Sequence, residues 1–159
     1  MCKCVKLSFS QVYTRSPLLD CFWAGSGVQL KSKAAGGMLR IREDGSFDCR
    51  GEWGNDFSAH FLVTSRVGNM VMLRSGANPA HNLTVENGQL CARPIGTYFN
   101  LHETEDHYVT LQHDISKIFV AFDDNGNLSA ARMDSANLEN LFEVHLAYSP
   151  HNHVYDPTH

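Results

Sequence analysis

Along this chain apolar and polar residues alternate with a period of two, as in Leu39-Arg40-Ile41 and, across the turn that follows, Phe47. That spacing sends successive side chains to opposite faces of a β-strand. The alternation comes in three similar segments. The first opens Val28-Gln29-Leu30-Lys31-Ser32 and later reads Leu39 to Phe47; the second opens Val71-Met72-Leu73-Arg74-Ser75 and reads Leu83 to Leu90; the third opens Val109-Thr110-Leu111-Gln112-His113 and reads Val120 to Leu128. Each carries an acid-or-amide plus glycine dipeptide between its strands: Asp44-Gly45, Asn87-Gly88 and Asn125-Gly126. Such dipeptides suit tight hairpin turns because they tolerate positive φ. An aromatic strand closes each copy: Ala59 to Val63, Thr97 to Leu101 and Leu141 to His145.

The registers agree between landmarks. Val28 to Val71 and Gly45 to Gly88 are both about 43 positions apart, and Val71 to Val109 and Gly88 to Gly126 both about 38. Three copies of a four-stranded unit are too few for a propeller. They predict an all-β chain closing as a β-trefoil, a six-stranded barrel capped by three hairpins. Leu30, Leu39, Phe61, Leu73, Leu83, Phe99, Leu111, Val120 and Phe142 are then expected to share one core. The domain is expected over 25–148, with repeats near 26–66, 69–105 and 107–148, an N-terminal extension over 1–24 and a surface tail over 149–159. Val5, Leu7 and Phe9 alternate and predict an added strand in the extension. The stretch from Asp134 to Asn140 is the one segment that reads as a short helical turn.

Composition narrows the function classes. With 159 residues, 43% hydrophobic and 19% charged, the chain is long enough for one packed core. A net charge of −4 and a pI near 6.1 give no overall basicity for nucleic acid or an anionic membrane, and no stretch of 18 apolar residues suggests membrane insertion. The charge is uneven. Lys3, Lys6, Arg15, Lys31, Lys33, Arg40 and Arg42 stand against Asp20 in the first 42 residues, whereas Asp123, Asp124, Asp134, Glu139 and Glu143 stand against Arg132 near the end. The five cysteines (Cys2, Cys4, Cys21, Cys49, Cys91) are odd in number and lack zinc spacing, so free thiols are expected rather than a disulfide framework. The first residues are too polar for a leader, which leaves a cytoplasmic location or leaderless export as the expectations. The sequons at Asn82 and Asn127 fall at expected strands or hairpin edges and are read as chance matches.

Two stretches resemble the fibroblast growth factors. Gly36 to Asp48 (GGMLRIREDGSFD) is similar to that family's pattern of a Gly-containing segment leading to L-R-I-x-x-D-G, and Glu105-Asp106-His107-Tyr108-Val109-Thr110 is similar to its E-N-H-Y-N-T stretch. The likeness spans roughly Gly27 to Ala147. It implies the trefoil fold, a signalling ligand for a receptor ectodomain, and a receptor-facing role for Glu105, Asp106 and Tyr108. The family also binds heparan sulfate through a basic loop in its third repeat. Here the matching segment, Asp123 to Glu139, keeps the turn and one arginine but has lost the cationic run, so weak or absent heparin binding is expected. Lys31, Lys33, Arg40, Arg42 and Arg74 are the candidates for a displaced anion- or glycan-binding patch.

No catalytic motif is present, the nine histidines show no closed ligand set, and neither enzyme activity nor a cofactor or metal is expected. A monomer is expected. Two other readings stand beside the receptor ligand: an intracellular interaction module resembling non-secreted growth-factor homologues or fascin, and a glycan-binding trefoil lacking the Q-x-W motifs of the ricin type.

Overall fold

The computed structural model describes residues 18–129 and 137–149. Among these there is no α-helix, only ten strands and three 3₁₀ turns, Leu19–Phe22, Phe57–Ala59 and Leu138–Asn140. In chain order the strands are β1 (Gly27–Ser32), β2 (Met38–Ile41), β3 (Phe47–Gly51), β4 (Phe61–Val67), β5 (Met70–Ser75), β6 (Asn82–Glu86), β7 (Gln89–Arg93), β8 (Phe99–Glu103), β9 (Val109–His113) and β10 (Phe142–Tyr148). All pair antiparallel in one sheet, ordered β3-β2-β1-β10-β9-β8-β5-β6-β7, with β4 pairing both β1 and β5. Six strands therefore pair in cyclic succession, β1 to β4 to β5 to β8 to β9 to β10 and back to β1. The link between β9 and β10 is a single residue pair, Val109 with Phe142.

Hairpins hang from this ring. β2–β3 joins β1 where Lys31 faces Met38, and β6–β7 joins β5 where Arg74 faces Asn82. Among the described residues the third copy's hairpin segment forms isolated bridges, Gln112 with Phe119, Phe122 with Leu128 and Asn127 with Asp48 of the first copy. The Phe122–Leu128 pair is flanked by the bonds from Ser129 N–H to the Ala121 carbonyl and from Asp123 N–H to the Asn127 carbonyl (both 2.9 Å), and the Phe122 N–H, directed away from that strand, donates to the Glu139 carbonyl (3.0 Å).

The repeat is written into the hydrogen bonds. The N–H groups of Ser32, Ser75 and His113, at matching strand ends, donate to the carbonyls of Gly37, His81 and Ile118. The carbonyls of His60, Tyr98 and Leu141 likewise accept from Gly76, Asp114 and Lys33. Each of these carbonyls precedes a phenylalanine, and Phe61, Phe99 and Phe142 are all wholly buried. The nine residues expected in a common core are in it, and none is more than 3% exposed. Burying each such side chain contributes about 1.5–3 kcal/mol, so the core alone explains why the alternation is kept through three copies.

The glycine turns differ in type. Gly45, Gly88 and Gly126 all have positive φ, but of the residues before them only Asn87 does (φ 52). Asn87-Gly88 is therefore a two-residue turn of primed type. The other two pass through a wider loop, closed by Arg42 N–H to Ser46 carbonyl and by Asp123 N–H to Asn127 carbonyl. Asp44 and Asp123 stabilise these loops by accepting backbone N–H bonds two residues ahead.

Of the expected short helical turn, Leu138–Asn140 is formed, capped by Asn137, whose side chain accepts from Glu139 N–H. The alternating residues Val5, Leu7 and Phe9, the C-terminal tail beyond Ser149 and Cys2/Cys4 lie outside the described residues. The sequon at Asn82 sits in β6, where its amide nitrogen donates to the carbonyls of Arg93 (3.2 Å) and Pro94 (3.0 Å) and is not available to a glycan.

Candidate functional site

Two sets of sequence candidates that were read separately meet in space. Thr104 to Tyr108 is a tight turn: Thr104 N–H donates to the Tyr108 carbonyl (2.8 Å), Tyr108 N–H donates to the Thr104 hydroxyl (3.1 Å), and His107 takes a positive φ of 67°. The turn leaves Glu105 and Asp106 exposed and swings Tyr108 across to the residue just past β1. There Lys33 Nζ donates to the Tyr108 hydroxyl at 2.9 Å and stands 4.0 Å from the ring centre. Lys31, Ser32, Lys33, Gly36, Tyr108 and Glu143 together line a shallow recess of about 280 Å³. Glu143 arrives there because β10 pairs with β1 in a register that sets it opposite Lys31. Next to this turn, Glu103 accepts from His107 Nδ1 (2.9 Å).

Arg40 and Arg42 are placed elsewhere and are already engaged. Both converge on Asp48, whose side chain is 2% exposed: Arg40 Nε donates at 2.7 Å and its NH2 at 3.2 Å, and Arg42 NH1 lies at 3.4 Å. Arg50, which sequence reasoning did not single out, completes the set. Its NH1 is 3.7 Å from Asp48, while its NH2 donates to the Asn125 carbonyl (3.0 Å) and Asn127 Oδ1 (2.7 Å), tying the first copy to the third. Burial pushes the Asp48 carboxyl up. The Arg40 hydrogen bond, the Arg50 N–H, the Arg40 charge and the Arg42 hydrogen bond outweigh it and hold the group below the usual carboxylate range. The three arginines are thus neutralised in part from within, and Arg50 reaches the third turn, which carries Asp123 and Asp124. Arg74 lies on β5, opposite Leu62 and Asn82, and makes no hydrogen bond or ion pair with the other four candidates.

A second feature was not legible beforehand. Trp53 and Phe57 are 61% and 60% exposed, yet their loop is tightly built. The amide of Gln29, buried in β1, donates to the Glu52 carbonyl (3.0 Å) and accepts from Gly54 N–H (3.0 Å), bracketing Trp53. Asp56 accepts from the N–H groups of Glu52 (2.9 Å) and Ser58 (3.2 Å), and His60 Nε2 bonds the Gly54 carbonyl. The Trp53 ring meets His145 edge-on, centroids 4.7 Å apart. A tryptophan in a stretch of glycine, asparagine and aspartate without alternation is the one sequence signal that points to it.

A cleft of about 370 Å³ opens between the Asn87–Gly88 turn and Ile118–Ala121, and among the described residues no ionisable side chain lines it. Among the described residues no three His, Cys, Asp or Glu side chains gather as metal ligands. Cys21, Cys49 and Cys91 are free thiols, and burial pushes the pKa of each upward, which keeps them protonated and poorly nucleophilic. No helix among the described residues is long and apolar enough to cross a membrane. No family model matches the chain, and no curated protein matches it.

Proposed function

We propose that this chain is a growth-factor-like β-trefoil that acts as a signalling ligand, engaging a receptor ectodomain through the face built by Tyr108, Lys33, Lys31 and Glu143. The observation that carries the reading is the Lys33–Tyr108 contact, which brings Tyr108, one of the residues nominated by the family resemblance, and two of the basic candidates around one recess, with Glu105 and Asp106 exposed on the adjoining turn. Tyrosine offers apolar area with a hydrogen-bonding tip at low entropic cost, and its neighbours supply both charge signs at the rim, the composition of a protein-binding hot spot. The cyclic strand pairing with a hairpin on each copy, and the threefold repetition of its hydrogen bonds, support the trefoil.

The test is binding of the full chain to a panel of growth-factor receptor ectodomains by surface plasmon resonance, with a proliferation assay on cells bearing the receptor that binds. Micromolar or tighter binding that weakens at least tenfold in Tyr108→Ala supports the reading; no binding and no cellular response sinks it. A second reading uses the same face inside the cell, and the three free thiols favour it. Retention of the protein in the cytosol with a Tyr108-dependent partner there would select it.

A further inference from the structure

The recess at Tyr108 does not end at Glu143. Glu143 Oε1 lies 3.7 Å from His145 Nε2 one step along β10, and the His145 ring packs against Trp53. A chain of contacts therefore runs from Tyr108 through Lys33, Glu143 and His145 to Trp53, with a half-buried tyrosine at one end and an exposed tryptophan at the other.

The Trp53 end has its own chemistry. Its loop contributes no aromatic ring to the core, yet hydrogen bonds from Gln29, Asp56 and His60 fix its backbone on both sides of the indole. A largely exposed tryptophan held rigid is pre-organised for a ligand, because little conformational freedom is left to lose on binding. The carboxylates near it are Glu52, its chain neighbour, which is exposed and hydrogen-bonds through its backbone to Gln29 and Asp56, and Glu143, which is about half exposed and stands against His145. The cations near it are committed: Arg40, which feels Glu52 and Asp56, is bidentate on buried Asp48, and Lys33 lies on Tyr108. Lys31, opposite Glu143 in the sheet, belongs to the Tyr108 recess. An electron-rich indole face with the exposed Glu52 as its chain neighbour, and with Glu143 reached through His145, is complementary to a cation, and tryptophan is the best aromatic partner for one.

We infer that Trp53, Glu52 and Glu143 form a cation-recognising end of that chain of contacts, taking an arginine or lysine side chain from a basic segment of a partner protein. The inference rests on the proposed binding function only for the partner being a protein. A probe set that contains no receptor keeps its failure distinct from the failure of that reading.

The experiment is a ¹H–¹⁵N correlation titration of the full chain, following the Trp53 indole N–H, which is told apart from that of Trp23 by a Trp23→Phe variant. The probes are nona-arginine amide, its citrulline counterpart and cellohexaose. Nona-arginine is expected to shift the Trp53 signal in a saturable way, and the citrulline peptide and the sugar are not. Affinity for nona-arginine is expected to fall about tenfold in Trp53→Ala, and by a similar factor in Glu52→Gln/Glu143→Gln. Both replacements are at exposed positions and leave the core untouched. Equal affinity of Trp53→Ala for nona-arginine would reduce the effect to general acidity and overturn the inference. A shift with cellohexaose and none with nona-arginine would overturn it in favour of a sugar-stacking platform, and no shift with any probe would overturn it outright.

Discussion

Lys33 Nζ stands 2.9 Å from the Tyr108 hydroxyl and 4.0 Å from the centre of its ring, a contact between residues 75 positions apart. Lys33 is exposed, so water screens the interaction. A double-mutant cycle of Lys33→Ala and Tyr108→Ala, read by urea unfolding, is expected to give a coupling of about 0.5–1 kcal/mol. Additive single effects would mean that the pair does not form in solution.

Asp48 is expected to be the most costly carboxylate to neutralise. Asp48→Asn keeps the shape but leaves Arg40 and Arg42 facing an uncharged amide at a site 2% exposed, and a loss of about 2–4 kcal/mol is expected. Its folded pKa is depressed, so the stabilisation is present above the unfolded carboxylate value near ~4 and is lost as pH falls through the folded value. In acid titrations followed by circular dichroism, the variant should show less loss of stability below about pH 4 than the parent. Parallel curves would argue against the network.

His113 occupies the position that Ser32 and Ser75 hold in the other copies, and all three side chains accept a backbone N–H from the turn that follows. The His113 Nδ1 accepts from Ser116 N–H, which leaves Nε2 to donate to Thr97 Oγ1 (3.0 Å). Protonating Nδ1 would break that first bond. Burial lowers the His113 pKa, with Asp114 opposing, so the neutral ring is the form the fold prefers. The folded value lies below the unfolded one near ~6.5; stability is therefore full above it and falls as pH drops toward the folded value. Comparison of melting temperatures between pH 7.5 and 5 should show this slope in the parent and a flatter one in His113→Ser. An unchanged slope would assign the effect to other histidines.

Gly37 and Gly36 are adjacent but are glycines for different reasons. A Cβ on Gly37 would strike the backbone carbonyl of Cys49, whereas Gly36 has open space and a φ of +82°. Gly37→Ala is expected to cost about 2–4 kcal/mol through forced backbone movement, and Gly36→Ala about 1–2 kcal/mol through strain alone. Chemical denaturation of the two variants distinguishes them, and equal costs would contradict the close approach of the Gly37 and Cys49 chains.

Heparin retention is expected to be weak. Arg40, Arg42 and Arg50 share one buried carboxylate, and Asp123 and Asp124 stand at the turn that Arg50 reaches. The full chain should elute from a heparin column at or below about 0.15 M salt. Elution well above that would reveal a replacement anion site.

Much of the architecture could be read from the chain because alternation and turn chemistry are local. Val28 to Ser32, Val71 to Ser75 and Val109 to His113 announce three equivalent strands, and the core positions within them follow from side-chain parity. Even the substitution of histidine for serine at the third strand end is visible in the alignment of the copies. What that histidine bonds to is not, since Thr97 and Ser116 are brought to it by the ring of strands.

The candidate site divides in the same way. Tyr108 and its acidic neighbours could be nominated from a short motif, and the lysines from their charge. Charge alone did not separate Lys31 and Lys33, which face the Tyr108 recess, from Arg40 and Arg42, which turn toward Asp48. Arg50 and Trp53 carried no motif at all. Their roles arise from partners about 25 to 90 residues away, Asn125 and Asn127 for the one, Gln29 and His145 for the other.

The sequence by itself determined the strands, the three-copy register and the inward-facing core, because a period of two and a turn glycine act within a few residues of where they occur. Only the tertiary structure decided that Lys33 lies on Tyr108 and that Trp53 stands exposed against His145. The β1–β10 and β9–β10 pairings draw those residues together, and no local pattern along the chain records which strands will be neighbours.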